Sequence, residues 1–473
     1  MADEATLNSP GTTAGGPASS AVRFVLFVTG VAAIGGFLFG YDTAVINGAN
    51  SYLKAHLNLN SSQEGLAGAS AILGCIPGAM CAGFLSDRFG RRKLLFLCAL
   101  LYAVSGLLSA IPRTFGEFLA ARFVSGLGIG ASSMICPVYI AEIAPGNWRG
   151  RLGTLFQLGI VGGIFITLFV NKVIQGMGDD AWNTATGWRW MLGMEVVPAV
   201  LFTVLLFAVP ESPRWLAQNG RENEARAILE KAGGPEHAAL EMAAIREAAS
   251  HEEGRFSELL TGVFFKPLVL AVVLMAFSQF CGINAIMYYS TKIFEAAGGG
   301  KNAAFTSSAW IGLVNVVFTF VAIGLVDRAG RRPLLIIGTA VQAIALGLVG
   351  WMFHTQRGGL GLLVCVVLFI AAFSMAMGPI GWLFCSEVFP NKVRGRAMSV
   401  AALTVWVSCY LVALTFPMMN DSAAIGPAKT FWIYAAVSFA SFLFVVARIP
   451  ETKGRTLEQI ETMWSNPPRP PRP

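Results

Sequence analysis

Charge is scarce in this chain: of 473 residues only 13% are Asp, Glu, Lys or Arg, 55% are hydrophobic, and there are four histidines. A soluble domain carries about 25% charge, so this composition excludes one. No cysteine framework is visible either. Cys75, Cys81, Cys98, Cys136, Cys281, Cys365, Cys385 and Cys409 all lie within apolar stretches, where they read as small packing residues rather than as disulfide partners or zinc ligands. The N-terminal stretch, rich in Ala, Ser, Gly and Thr, lacks the charged-then-apolar order of a cleaved signal peptide.

What is abundant is long uncharged sequence. A bilayer core about 30 Å thick needs roughly 20 apolar residues per helix; twelve such stretches follow one another, the first from about Val22 to Asn47 and the last ending near Arg448. The net charge of +7 does not point to nucleic acid, because Arg and Lys sit in short loops rather than along one face. Asp87 to Lys93, Arg149 to Arg151, Asp327 to Arg332 and Lys392 to Arg396 all fall in even-numbered loops. The positive-inside rule places those loops and both termini in the cytoplasm.

The chain is also a duplication. Gly83 to Arg92 returns as Gly324 to Arg332, Glu142 to Arg151 as Glu387 to Arg396, and Pro210-Glu211 as Pro450-Glu451. Six spans per repeat is an even number, so the halves share one orientation, as in the parallel repeats of major facilitator transporters, with the site between them near midplane. The expectation is an all-α membrane protein of twelve transmembrane helices in two pseudo-symmetric six-helix halves. Residues 1–21 form a disordered cytoplasmic tail, 22–210 the first half, 211–260 cytoplasmic linker helices, 261–449 the second half and 450–473 a cytoplasmic tail. The linker is charged and amphipathic from Glu222 to Lys231; the closing Pro-rich run reads as frayed chain more readily than as a polyproline ligand.

The motifs resemble the sugar porter family of the major facilitator superfamily, which includes bacterial D-xylose-proton symporters and facilitative glucose transporters. They are Gly36 to Asp42, the two Asp-Arg-x-Gly-Arg-Arg loops, Pro210 to Arg214, Gly282 to Asn284, and Pro450 to Gly454. Each alone is weak, but all six in order are specific. The charged loops can cap helix ends. The resemblance implies more: Arg91, Arg92, Glu142, Arg149 and Glu211, with Arg331, Arg332, Glu387, Arg394 and Glu451 in the second half, would form an ionic latch that closes the cytoplasmic side and breaks as the halves rock. The alternative is that these charges only anchor the membrane edge.

A charge at bilayer depth costs at least about 2.5 to 3.5 kcal/mol, which makes each one a functional candidate. Asp42 in span one, Arg122 in span four and Glu195 in span six qualify. Asp42 and Arg122 can pair, with the cation and desolvation acting oppositely on the carboxylate. Protonation of Asp42 would then free Arg122 to turn toward Glu195. In the resembled family this Asp marks proton symporters; the alternative is a static pair that sets helix packing.

A sugar needs amides for its hydroxyls and an aromatic plate for its C–H face. The resemblance assigns that work to Gln157, Gln279, Asn284, Tyr288, Asn315, Trp382 and Trp406. Interhelical bonding is the plain alternative for an isolated amide; the grouping in span seven, with Gly282 placed to unwind the helix, favours the cavity. Ser278 and Val405 stand where the family has amides, and a hydroxyl left unpaired there costs about 1 to 3 kcal/mol. The ligand is therefore expected to differ from glucose or xylose at those hydroxyls: a deoxy or substituted sugar, a polyol or a cyclitol. Gly378-Pro379 should break span ten, while Gly36, Gly40, Gly126, Gly130, Gly162 and Gly163 read as packing.

The resulting expectation is proton-coupled symport of a monosaccharide or related polyol in the plasma or inner membrane. The expected partners are the lipid bilayer and the small-molecule substrate, with no nucleic acid, and the functional unit is monomeric. The alternatives are a facilitative uniporter, tested by a pH gradient, and a non-transporting sensor, which the short tails disfavour. An enzyme is not expected: there is no metal-ligand spacing, phosphate-binding loop or nucleophile-base pair, no cofactor beyond the coupling proton, and His56, His237, His251 and His354 are read as lying outside the spans. Asn60-Ser61-Ser62 and Asn420-Asp421-Ser422 fit a glycosylation pattern that arises often by chance.

Overall fold

The computed structural model describes residues 19–453 apart from 147, 251–255, 261–263, 299 and 390. The expected tails therefore lie mostly outside the described residues. Among the described residues, twelve helices are long and apolar enough to span a bilayer, from Ser20–Leu57 to Gly426–Arg448. Side chains such as Phe84, Leu100, Val204, Phe320 and Ile344 are exposed around the bundle, which only a hydrocarbon solvent tolerates as a continuous belt. His56 and His354 fall in the last turns of spans one and nine rather than in loops.

Within the first half, span one (Ser20–Leu57) packs on span five (Arg149–Gln175), and span two (Ser61–Phe89) on span four (Phe115–Ile143). Small residues permit this. A side chain on Gly40 would strike the Ile160 carbonyl, and one on Gly126 the Ala71 carbonyl, whereas Gly162 faces open space and is no contact point. The second half repeats the scheme, with span seven (Phe265–Ala296) against span eleven (Val393–Asn420) and span eight (Lys301–Val326) against span ten (Leu360–Val388), while span nine (Arg331–His354) packs on span twelve as span three does on span six. The halves meet where span two crosses span eleven and span five crosses span eight.

Among the described residues, three spans are broken. Span seven stops at Phe280 and restarts at Ile283, because Gly282 adopts a left-handed φ of 88° that only glycine takes freely. Span ten breaks at Ala376, two residues before the expected Gly378-Pro379. Pro379 lies instead in the first turn of Met377–Val388, where a missing N–H is tolerated, so the interruption appears upstream of it. Span six (Asp180–Leu206) contains a π-helical turn at Asn183–Gly187 and a break at Met194 and Glu195. Sequence reading anticipated no break there.

Between spans six and seven lie Pro213–Gln218, Glu222–Gly233 and Pro235–Ser250. They bury Leu216, Ala225, Leu229, Ala238 and Met242 as a small separate core. Ala225, Leu229 and Ala232 recur at helical spacing on one face of the middle helix, with acids in its first turn and Lys231 in its last.

Candidate functional site

Asp42 and Arg122 are both buried, on spans one and four. Arg122 Nη1 donates to Asp42 Oδ1, and Nη2 donates to the Asp42 backbone carbonyl at 3.2 Å. Glu195, buried at the break in span six, stands beside Asp42. Asp42 Oδ2 and Glu195 Oε1 meet no donor among the described residues. The result is one guanidinium facing two carboxyls inside a six-helix half.

A small cavity opens onto this pair. Its walls include Asp42 and Arg122 from the first half and Tyr288 and Trp406 from the second. Trp406 also leans on Phe39 of span one, ring centres 5.7 Å apart, and Tyr288 OH lies 3.9 Å from Cys409 Sγ. The ionisable pair and the aromatic plate therefore share one chamber at the junction of the halves.

The span-seven amides form a second group. Asn284 Nδ2 donates to Gln279 Oε1 at 2.6 Å across the Gly282 break, and Gln279 Nε2 donates to Ser278 Oγ at 2.9 Å. Ser278 is 3% exposed and its own hydroxyl donates to the Met275 carbonyl. It props Gln279 and does not stand open to a ligand in this conformation. Val405 packs against an apolar cluster containing Leu274 and Phe384. Asn315 accepts from Ser374 at 2.7 Å, a partner the sequence did not reveal. Gln157 is half-buried and Trp382 exposed, and neither lines the cavity with Asp42.

On the face where span one begins and span twelve ends, the charges expected to form a latch group within each half. Arg91 donates to Glu142 through Nε at 3.1 Å and Nη2 at 3.2 Å, and Ser212 Oγ donates to Glu142 at 2.5 Å. Glu211 accepts from the backbone N–H groups of Arg91 and Arg92, and Arg92 itself donates to the Leu206 and Phe207 carbonyls. The second half matches: Arg331 donates to Glu387 at 2.8 Å, and Glu451 accepts from the Arg331 and Arg332 N–H groups. Burial opposes ionisation of Glu451, but those N–H groups with Lys453 and Thr452 hold its carboxyl below the usual range. Among the described residues, Arg149 and Arg394 have other partners than these clusters. Arg149 pairs with Glu241 of the linker at 3.1 Å, and Arg394 Nε donates to the Phe389 carbonyl. Each cluster thus knits span ends within its own half.

The opposite face carries ion pairs that link the halves. Lys292 Nζ lies 2.9 Å from Glu64 of span two and 2.9 Å from Asp421, while Lys54 of span one reaches Glu64 at 2.6 Å and Asp421 at 3.2 Å. Ser61 Oγ adds a bond to Asp421 at 2.7 Å, and Lys301 pairs with Asp180 at 2.9 Å. Burial works against Asp421, yet Lys292, Ser61 and Asn420 hold its carboxyl well below the ordinary range. Asn60 and Asn420, the two glycosylation candidates, respectively cap span two and donate to Asp421.

The chain is 42% identical over 448 residues to an arabinose-proton symporter of Bacillus subtilis, covering 94% of this chain and 96% of that protein. It is 38% identical to the D-xylose-proton symporter of Escherichia coli, covering 93% and 96%. In three dimensions it is similar to the inward-open conformation of the E. coli xylose transporter XylE, with a TM-score of 0.84 at 37% identity over 93% of this chain and all of that one. With residues 28–464 matching the family model described as "Sugar (and other) transporter", the chain belongs to that transporter family.

Proposed function

We propose that this protein is a proton-coupled symporter that carries a monosaccharide or closely related polyol by alternating access. The observation that carries the reading is the shared chamber: Asp42 and Arg122 line the same cavity as Tyr288 and Trp406, so a proton and a sugar would report to one another directly. Relatives named as proton symporters of arabinose and xylose support it.

The chemistry follows from charge counting. Two carboxyls and one guanidinium carry one net negative charge when all are ionised, and a single proton neutralises the group in a region where charge is expensive. Proton binding at Asp42 would loosen its hold on Arg122, which would then turn to Glu195. Gln279, Asn284, Asn315 and Gln157 would serve sugar hydroxyls, and Tyr288, Trp382 and Trp406 its C–H face. Ser278 would act through Gln279, and Val405 would leave one hydroxyl without an amide.

With basic loops on the terminus face, that face would be cytoplasmic in a cell membrane. The ion cluster of Lys54, Glu64, Lys292 and Asp421 then closes the outside, and the conformation is inward-facing. The Arg91–Glu142 and Arg331–Glu387 clusters would hold span ends as rigid units while the halves rock. Uptake of labelled pentoses, hexoses, deoxy sugars and cyclitols into proteoliposomes, with and without an inward proton gradient, tests the assignment. Gradient-driven accumulation supports symport; equal uptake in both conditions makes the protein a uniporter.

A further inference from the structure

Asn47 lies in span one, five residues beyond Asp42, and is fully buried. Its side chain reaches the second half of span seven, Ile283–Ala296, where Tyr289 departs from helical geometry with φ −134° and ψ 17°. Nδ2 of Asn47 donates to the Met287 carbonyl at 2.6 Å and to Ser290 Oγ at 2.7 Å. Oδ1 of Asn47 accepts from the Thr291 backbone N–H at 3.2 Å. Thr291 Oγ1 returns a bond to the Asn47 carbonyl at 2.8 Å.

The register of these bonds is informative. In an unbroken α-helix the N–H of Thr291 pairs with the carbonyl four residues earlier, which is that of Met287. A single amide from the other half takes up both members of that pair, acceptor and donor together. Groups inserted into the helical ladder are a recognised cause of kinks, and an amide is the one uncharged side chain with both a donor and an acceptor at this spacing. Ser290 passes the contact onward, donating to Ser308 of span eight at 2.7 Å. The kink falls between Tyr288, a wall of the central cavity, and Lys292, a member of the ion cluster.

We propose that Asn47 is a positioning residue for transport: by bridging Met287 and Thr291 it holds the kinked, outside-closed form of span seven. On opening, span one withdraws the amide and the Met287–Thr291 backbone bond forms in its place. Tyr288 and Lys292 then swing together, linking cavity and outer gate through one hinge. The proposal rests on alternating access but not on the identity of the substrate or the coupling ion.

The test measures conformation directly. Spin labels are placed at the exposed positions Ala55→Cys and Ala303→Cys, on opposite halves of the outer face, in a Cys81→Ser background. Distances are read by double electron–electron resonance in nanodiscs without substrate or gradient. Interhelical hydrogen bonds in membranes contribute about 0.6 to 2 kcal/mol, so Asn47→Ala should raise the ratio of open to closed distances about three- to thirtyfold. Asn47→Asp, which keeps an acceptor for Thr291 and loses the donor to Met287, should also shift toward open. Ser308→Ala, which leaves the amide bridge intact, should not. Where transport is active, Asn47→Ala should lower both Vmax and the KM for outside sugar, a split that simple loss of stability would not give. An unchanged distribution in Asn47→Ala overturns the proposal, as does an equal opening in Ser308→Ala. If the alanine variant does not purify as a monodisperse protein, an unchanged distribution in Asn47→Asp overturns it alone. Normal opening and closing of the wild type with uptake that ignores the proton gradient would instead count against the symport reading.

Discussion

Arg122 holds Asp42 at two points, the carboxylate and the backbone carbonyl of the same residue. The guanidinium is therefore fixed to the helix itself, and its aim does not depend on charge attraction alone. That double grip needs a planar fork, which lysine lacks.

Arg122→Lys should accordingly keep the positive charge and lose the geometry. The expected outcome is a protein that still folds but accumulates sugar at least about tenfold less against its gradient, consistent with the roughly 1.4 kcal/mol that separates decades. Proteoliposome uptake beside a thermal-unfolding curve checks this; full accumulation by the lysine variant would mean that charge alone suffices.

Asp421 gives a prediction about pH. Because closure holds its carboxyl below the usual range of about 3.9, proton binding favours the open form. Closure is thus fully supported above the ordinary carboxylate range, weakens as pH falls below that range, and loses this support as pH falls through the lowered value. Between pH 5 and 8 the distance distribution across the outer face should not change on account of Asp421. Asp421→Asn should shift it toward open at every pH in that window, and an unchanged distribution in Asp421→Asn would contradict the assignment.

The terminus face separates buried from exposed pairs. Glu142 is 8% exposed and accepts from Arg91 and Ser212, so Glu142→Gln removes a buried counter-charge while Arg91 keeps the more exposed Asp87 at 3.1 Å, and it should cost about 1.5 to 3 kcal/mol. Arg149 is 44% exposed where it meets Glu241, and Arg149→Ala should cost less than about 1 kcal/mol. Thermal unfolding in detergent should show a clear drop in melting temperature for the first and almost none for the second.

Ser278 supports Gln279 through one hydrogen bond. Ser278→Ala should weaken the apparent sugar affinity by about three- to tenfold, the worth of one such bond, with Vmax preserved. Gln279→Ala should weaken it further, and a larger effect at Ser278 than at Gln279 would place the serine in direct contact with sugar.

Much of this was legible in the sequence because the bilayer imposes length and apolarity on every span. The duplication, the buried charges at Asp42, Arg122 and Glu195, and the unwinding at Gly282 each left a local mark. The outer ion cluster did not. Lys54, Glu64, Lys292 and Asp421 are distant in sequence and sit at helix ends, where a charge looks like ordinary interfacial anchoring. Asn47 is an uncharged amide whose importance lies in the backbone it meets, which no spacing reveals. Arg149 and Arg394 shared a repeat with Arg91 and Arg331, yet side-chain direction took one to the linker and the other to a carbonyl. The break at Ala376 preceded the proline because a proline releases the carbonyl of the turn before it.

The central claim is that the carboxyl at position 42 couples sugar movement to the proton gradient, and Asp42→Asn tests it most directly. In proteoliposomes with an inward proton gradient, labelled sugar should rise inside only to the external concentration, while exchange of labelled for unlabelled sugar continues near the wild-type rate. Accumulation by the asparagine variant above the external concentration, at the wild-type level, would contradict the account.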